Sequence, residues 1–231
     1  MNNERHRTFV TSHSYTVTDS ELVLDCPIIG VRRDMVTMPQ GNLAAREIVE
    51  HFGAVAVVAV DERGRIPLVR QWRQCVKKRL WELPAGILDI AGEDELDTAK
   101  RELLEEAGLA ADDWSVLVDL VTSPGFCEEA VRVYLARDLH PVDRPAGRDE
   151  EAELELHWFD ASTIHAMLTG GQINNSIAVA GLFRALDVLA GRSGPLPLDT
   201  PFSLRPSSMA NRRAPIVGAG HDMKHPHTTA R

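Results

Sequence analysis

Glu102, Glu105 and Glu106 stand at i, i+3 and i+4 inside the segment Asp94–Ala107, so on a helix all three carboxylates share one face. Leu96, Ala99, Leu103 and Ala107 make an apolar stripe beside them, and Gly108 follows where a left-handed cap is wanted. Like charges at this spacing repel, and the C-terminal half of a helix disfavours anions further. Arg101, four residues before Glu105, offsets part of that repulsion. A solvated acidic face has the same pattern. The chemical alternative is a site for a hard divalent cation such as Mg²⁺, which takes oxygen ligands, usually one or two carboxylates together with substrate phosphates. On that reading the substrate carries phosphate.

The elements around this helix place it in a mixed fold. Gly53–Val60 is a continuous, β-branched run that suits a strand buried on both faces. Asp61 to Gly64 is a turn, Ile66 to Val69 returns as a hairpin arm, and Leu80 to Leu83 is a short strand stopped by Pro84. Val116 to Val121 and Ala130 to Leu135 read as strands around a Ser-Pro-Gly turn at 123–125. His140 to Asp149 reads as a polar loop, Leu154 to Phe159 as a strand, and Ala161 to Leu168 and Ile177 to Leu189 as helices. Residues 8–50 alternate in short strand-like runs that fit hairpins or edge strands. Past Gly191 periodicity vanishes, which predicts a mobile or loosely docked tail. The fold class is therefore α/β (α+β), an α/β/α sandwich around a mixed sheet, divided as an N-terminal β-rich segment 1–50, a central domain 51–192 and a Pro-rich, basic tail 193–231.

Charge narrows the partners. The chain has 231 residues and a net charge of −9, yet residues 201–231 hold five cations against Asp222 alone, leaving −13 on the first 200. Such a body is a poor nucleic-acid coat, which needs a basic footprint. Cys26, Cys75 and Cys127 have neither disulfide-framework nor zinc-ligand spacing, and His140, His157 and His165 show no ligand spacing. The longest apolar run, Ala54 to Val60, is far short of a membrane span, and the polar N-terminus leads into no signal core. A soluble, cytoplasmic protein without membrane or nucleic-acid partners is expected.

Gly86, Glu93 and Arg101-Glu-Leu-Leu-Glu-Glu-Ala-Gly-Leu109 resemble the Nudix box, G-x5-E-x7-R-E-U-x-E-E-x-G-U with U aliphatic. Every defined position from Glu93 onward matches. Six residues rather than five separate Gly86 from Glu93, so the loop Ile87 to Gly92 is one longer while the helix register is intact. The resemblance implies a hydrolase acting on a nucleoside diphosphate linked to another moiety, with Mg²⁺ or Mn²⁺ as cofactor. It makes Glu102 and Glu106 the principal metal ligands, Glu105 a further ligand, the Ala85 carbonyl a ligand beside them, and Arg101 the residue that orients a box carboxylate.

Flanking segments are similar to one subfamily, the ADP-ribose pyrophosphatases: Ser123-Pro-Gly-Phe126, Val69-Arg-Gln-Trp-Arg73, Trp81-Glu-Leu-Pro-Ala-Gly86 and Arg46-Glu-Ile-Val-Glu-His51. That similarity implies hydrolysis of ADP-ribose to AMP and ribose 5-phosphate. It places Arg70, Arg73 and Glu82 at the substrate, Glu129 at the terminal ribose, and Arg46 across a homodimer whose N-terminal β-segments exchange. It also implies a base on the loop Arg144 to Glu153, Glu151 first and Glu150 in reserve. Other nucleoside diphosphate sugars are the alternative substrates, and a non-catalytic ligand sensor is the alternative role. The intact box carboxylates and the absence of any helix-turn-helix segment weigh against the sensor.

Overall fold

The computed structural model describes residues 14–144 and 153–226. The central strand β4 (Ala54–Ala59) is buried at all six positions. Its side chains alternate, with Ala54, Ala56 and Val58 entering one apolar core and Val55, Val57 and Ala59 the other. That is the period-2 geometry of a strand covered on both faces. β4 pairs in parallel with β9 (Ala130–Pro141) and antiparallel with β7 (Ala85–Ile87), while β9 carries β8 (Leu109–Val121). The resulting four-stranded sheet has the order β7-β4-β9-β8.

Helix α1 (Glu95–Ala107) covers one face through Ala99, Leu103 and Ala107. α2 (Ala161–Thr169) and α3 (Ser176–Leu189) cover the other through Ile164, Leu182 and Ala185. A second sheet, β10 (Glu155–Asp160), β5 (Arg65–Arg73) and β6 (Lys78–Glu82), stands beside this sandwich with β5 in the middle. The third is an antiparallel meander of β1 (Thr16–Asp25), β2 (Ile29–Thr37) and β3 (Leu43–His51). The expected α/β/α sandwich with an N-terminal β-rich segment is the observed architecture. No described helix is long and apolar enough to cross a membrane.

Three segments differ from the reading of the sequence. β8 begins at Leu109 rather than Val116, and β9 runs on to Pro141 through residues expected to be loop. The cause is one long antiparallel ladder in which Leu109 faces Pro141, a pairing of residues too far apart for local pattern to reveal. The C-terminal residues hold a further helix, α4 (Ser208–Val217), with Met209 and Arg213 buried against Phe52, Ala91 and Met223. Its apolar positions are too sparse to show a period. Met209 is buried only because a partner surface exists.

Candidate active site

Local chemistry fixes the two ends of α1. The Asp94 side chain accepts the Leu96 N–H at 2.9 Å, and Gly108, at φ 65°, donates its N–H to Leu104 O. Between these caps the helix presents Arg101, Glu102, Glu105 and Glu106 to a cleft of about 660 Å³, whose far wall is β5 and β7. β7 comes very close. A Cβ on Gly86 would lie 2.0 Å from Glu102 Oε1, so only glycine lets the Glu102 carboxyl sit against that strand. The glycine of the box is thus explained by the carboxylate it faces.

Glu102 and Glu106 are charged groups in a place that disfavours charge. Burial raises Glu106 to about 8, with repulsion from Glu102 adding to it and the Ala85 N–H, 3.0 Å from Oε2, opposing it. Burial likewise raises Glu102 to about 7, against the pull of Arg101 and with a push from Glu105 and Asp89. Arg101 ties the box together. Its Nη1 donates to Glu102 at 2.7 Å and Glu105 at 3.2 Å, while Nε and Nη2 each reach Glu93 at 3.2 Å. Burial alone would raise Glu93, but Arg101 and the Thr98 hydroxyl, 2.8 Å away, hold it below the usual carboxylate range. The longer loop before Glu93 therefore does not displace that residue from the box.

Across the cleft, Arg73 grips the buried Glu82 with Nη2 at 2.6 Å and Nε at 3.0 Å, and Gln71 Nε2 stands 3.3 Å from the same carboxyl. Arg73, Ala85, Gly86 and Ile87 also line a second, adjoining cleft of about 670 Å³, where His51, Trp72, Glu82 and Glu129 are found. The turn at Ser123 brings Glu129 there. Phe126 and Cys127 donate their N–H groups to Ser123 O, and the loop pairs with β3 through Val49 N–H to Phe126 O at 2.7 Å and Glu128 N–H to Val49 O at 3.0 Å. Glu129 accepts the Thr122 hydroxyl at 2.6 Å and lies 3.7 Å from His51. Burial keeps the His51 imidazole below its ordinary range, and its Nδ1 accepts the Gly53 N–H, so it meets Glu129 as a neutral ring.

The structure thus brings together Arg73, Glu82, Ala85, Arg101, Glu102, Glu105, Glu106 and Glu129. Two expected substrate residues stand elsewhere. Arg70 lies over the Trp81 ring at 5.4 Å and 3.9 Å from Glu155, outside both clefts. Arg46 is exposed on β3, where it donates to the Ala45 carbonyl at 2.8 Å. Glu150 and Glu151 lie outside the described residues. Ala85 donates its amide N–H to Glu106.

Reading the sequence missed Asp89 and Lys224, which also line the first cleft and pair at 2.6 Å. Asp89 occupies an undefined position of the box, and Lys224 lies in a segment without periodicity, so neither carried a local signal. Among the described residues no group of three or more His, Cys, Asp or Glu side chains is arranged to hold a metal ion, Arg101 and the Ala85 amide being bound to the box carboxylates. The donor chemistry nevertheless fits a hard divalent cation. Glu106 is buried and Glu102 nearly so, burial raises both carboxyls, and a bound cation would relieve the burial and mutual repulsion that raise them.

Comparison with known proteins agrees with this geometry. The chain is 48% identical over 205 residues, 89% of its length and 99% of the relative's, to an ADP-ribose pyrophosphatase of Mycobacterium tuberculosis. It is 38% identical over 137 residues, 59% of its length and 74% of the relative's, to a methanol dehydrogenase activator of Bacillus methanolicus. Among solved structures, an ADP compounds hydrolase superposes with a TM-score of 0.67 at 22% identity, covering 78% of this chain and 96% of the other, a likeness of fold. The model of the NUDIX domain matches residues 50–177. That stretch runs from the end of β3 to the start of α3 and holds the whole carboxylate helix with both strands that face it: the chain belongs to the Nudix family.

Proposed function

We propose that the protein hydrolyses the pyrophosphate bond of ADP-ribose to AMP and ribose 5-phosphate with the help of a divalent cation, Mg²⁺ or Mn²⁺. The observation that carries this reading is the placement of the Glu102, Glu105 and Glu106 carboxyls across one cleft from the Arg73 guanidinium. Near-complete alignment with a relative that bears the name of this activity supports the substrate. Glu102, Glu105 and Glu106, with Ala85, would hold the cation. Bound there, it would neutralise pyrophosphate charge and acidify water.

The chain's own residues do the rest. Arg101, held by Glu93, orients the carboxyls of Glu102 and Glu105 that would hold the cation. Arg73, fixed in orientation by Glu82, offers a planar fork to a phosphate. Glu129, beside neutral His51 in the second cleft, accepts hydrogen bonds from the hydroxyls of a terminal ribose. The proton of the attacking water would go to Glu151 or else Glu150.

A homodimer with exchanged N-terminal segments completes the reading. β1 is exposed at every position, with Val17, Leu22, Val23 and Leu24 among its apolar side chains, and Arg46 is directed to neither cleft of its own chain. Both features suit burial against a second copy. A small soluble substrate and the lack of a membrane-crossing helix among the described residues suit a cytoplasmic setting.

A panel of ADP-ribose, other nucleoside diphosphate sugars, dinucleoside polyphosphates and modified deoxynucleotides, assayed with Mg²⁺, tests the substrate. ADP-ribose should be turned over fastest; failure on it beside rapid turnover of another member refutes the assignment. Light scattering should give twice the chain mass, and a single-chain mass would remove the dimer.

A further inference from the structure

The longer loop between Gly86 and Glu93 is paired with a C-terminal segment. Residues 219–224, beyond the stretch matched by the family model, run alongside it. Gly220 donates its N–H to Ala91 O at 2.6 Å, Ala91 donates to His221 O at 2.9 Å, and Met223 donates to Asp89 O at 2.8 Å, with Ile90 and Asp222 forming a bridge. Met223 is buried against Phe52, Ala91 and Met209, which anchors the segment. The next residue is Lys224. Its ammonium lies 2.6 Å from Asp89 and 3.6 Å from Asp222, and it lines the same cleft as Glu102, Glu105 and Glu106.

We propose that Lys224 binds a phosphate of the nucleoside diphosphate substrate, presented to the cleft by the C-terminal segment that the longer loop accommodates. The inference rests on the pyrophosphatase reading and adds to it a residue from outside the box. Charge in the cleft argues for it. Arg101 is shared among three carboxylates and Arg73 is bound to Glu82 through two nitrogens, while Lys224 pairs with Asp89 at 2.6 Å and more loosely with Asp222 at 3.6 Å, two partners for three N–H donors. Asp89 is 4% exposed, while the Lys224 side chain is 34% exposed. Asp89 therefore holds the ammonium from within the fold, and the partly exposed Lys224 side chain lines the cleft. A compact ammonium placed this way is an effective point charge for a phosphate oxygen.

Steady-state kinetics of full-length Lys224→Gln with ADP-ribose and Mg²⁺ should show KM raised roughly 10-fold or more, as for loss of a charged hydrogen bond, with the loss falling on KM more than on kcat. Lys224→Arg should recover most of it. Because Gln also leaves the buried Asp89 without its cation, the double variant Asp89→Asn/Lys224→Gln separates the two roles. It should regain thermal stability while KM stays high. A KM for Lys224→Gln within twofold of wild type, or one that returns to normal in the double variant, would show that Lys224 only neutralises Asp89. Wild-type protein inactive on every nucleoside diphosphate would instead overturn the pyrophosphatase reading, before any variant is compared.

Discussion

Glu106→Gln should stabilise the cation-free protein while abolishing turnover, and the size of the gain should depend on pH. The Glu106 carboxyl has an ordinary value of 4.5 when the chain is unfolded and is raised by burial to about 8 when folded. A group raised on folding contributes its stability below the unfolded value and loses it as pH rises through the folded one. Between pH 4.5 and 7 the unfolded chain ionises while the folded chain keeps the proton, at about 1.4 kcal/mol per pH unit, so wild type loses on the order of 3 kcal/mol by neutrality. Glutamine has no such loss and can still accept the Ala85 N–H. Its buried amide hydrogens cost about 1–3 kcal/mol at every pH.

The net gain at pH 7.5 is then about 1–2 kcal/mol, or roughly 3–6 °C in Tm for a chain of this size. At pH 5 wild type is itself protonated, and the variant should be equal or slightly less stable. Thermal melts in chelator at both pH values read the difference directly. Adding Mg²⁺ should raise the Tm of wild type more at pH 7.5 than at pH 5 and leave the variant nearly unmoved. A variant less stable than wild type at pH 7.5, or a difference independent of pH, would refute the claim that Glu106 is buried against its charge.

Further expectations follow from other contacts. Gly86→Ala must move Glu102, whose Oε1 would be 2.0 Å from the new Cβ, so kcat should fall by about 10²-fold with the chain still folded; near-normal kcat would show that β7 can yield. Glu82→Gln removes the anchor of Arg73 and should raise KM roughly 10-fold, while an unchanged KM would separate Arg73 from substrate. Arg213 is 2% exposed and donates to Asp25, Cys26 O, Pro27 O and Met223 O while lying over the Phe52 ring. Arg213→Met should cost about 3 kcal/mol in chemical denaturation, and a cost below about 1 kcal/mol would show that α4 contributes little to the fold.

The last of these concerns the part of the molecule hardest to read from residues in order. α1 was legible because everything that defines it is local: the Asp94 cap, the stripe from Leu96 to Ala107, Gly108, and three carboxylates within one turn. β4 was legible because seven apolar residues in a row suit only a strand covered on both faces. Arg32, Glu50, Glu128 and Ser208 meet in one hydrogen-bonded cluster, and Arg212 joins it through Glu50 at 2.6 Å. In sequence they are ordinary polar residues in four separate segments. The fold alone turns them into a partly buried network tying the N-terminal sheet to α4.

The same division runs through the site. By itself the sequence determined the carboxylate face and the guanidinium beside it, because helical periodicity and motif spacing are properties of neighbouring residues, whereas the need for glycine at position 86 comes from the approach of Glu102 to β7. The tertiary structure decided which of those groups are deprived of water, and so which hold protons: Glu102 and Glu106, pressed against β7. It also separated Arg73, in the cleft, from Arg70, out of it, and brought Lys224 to Asp89 across 134 intervening residues. Burial and long-range pairing depend on what packs where, and no window along the chain contains that information.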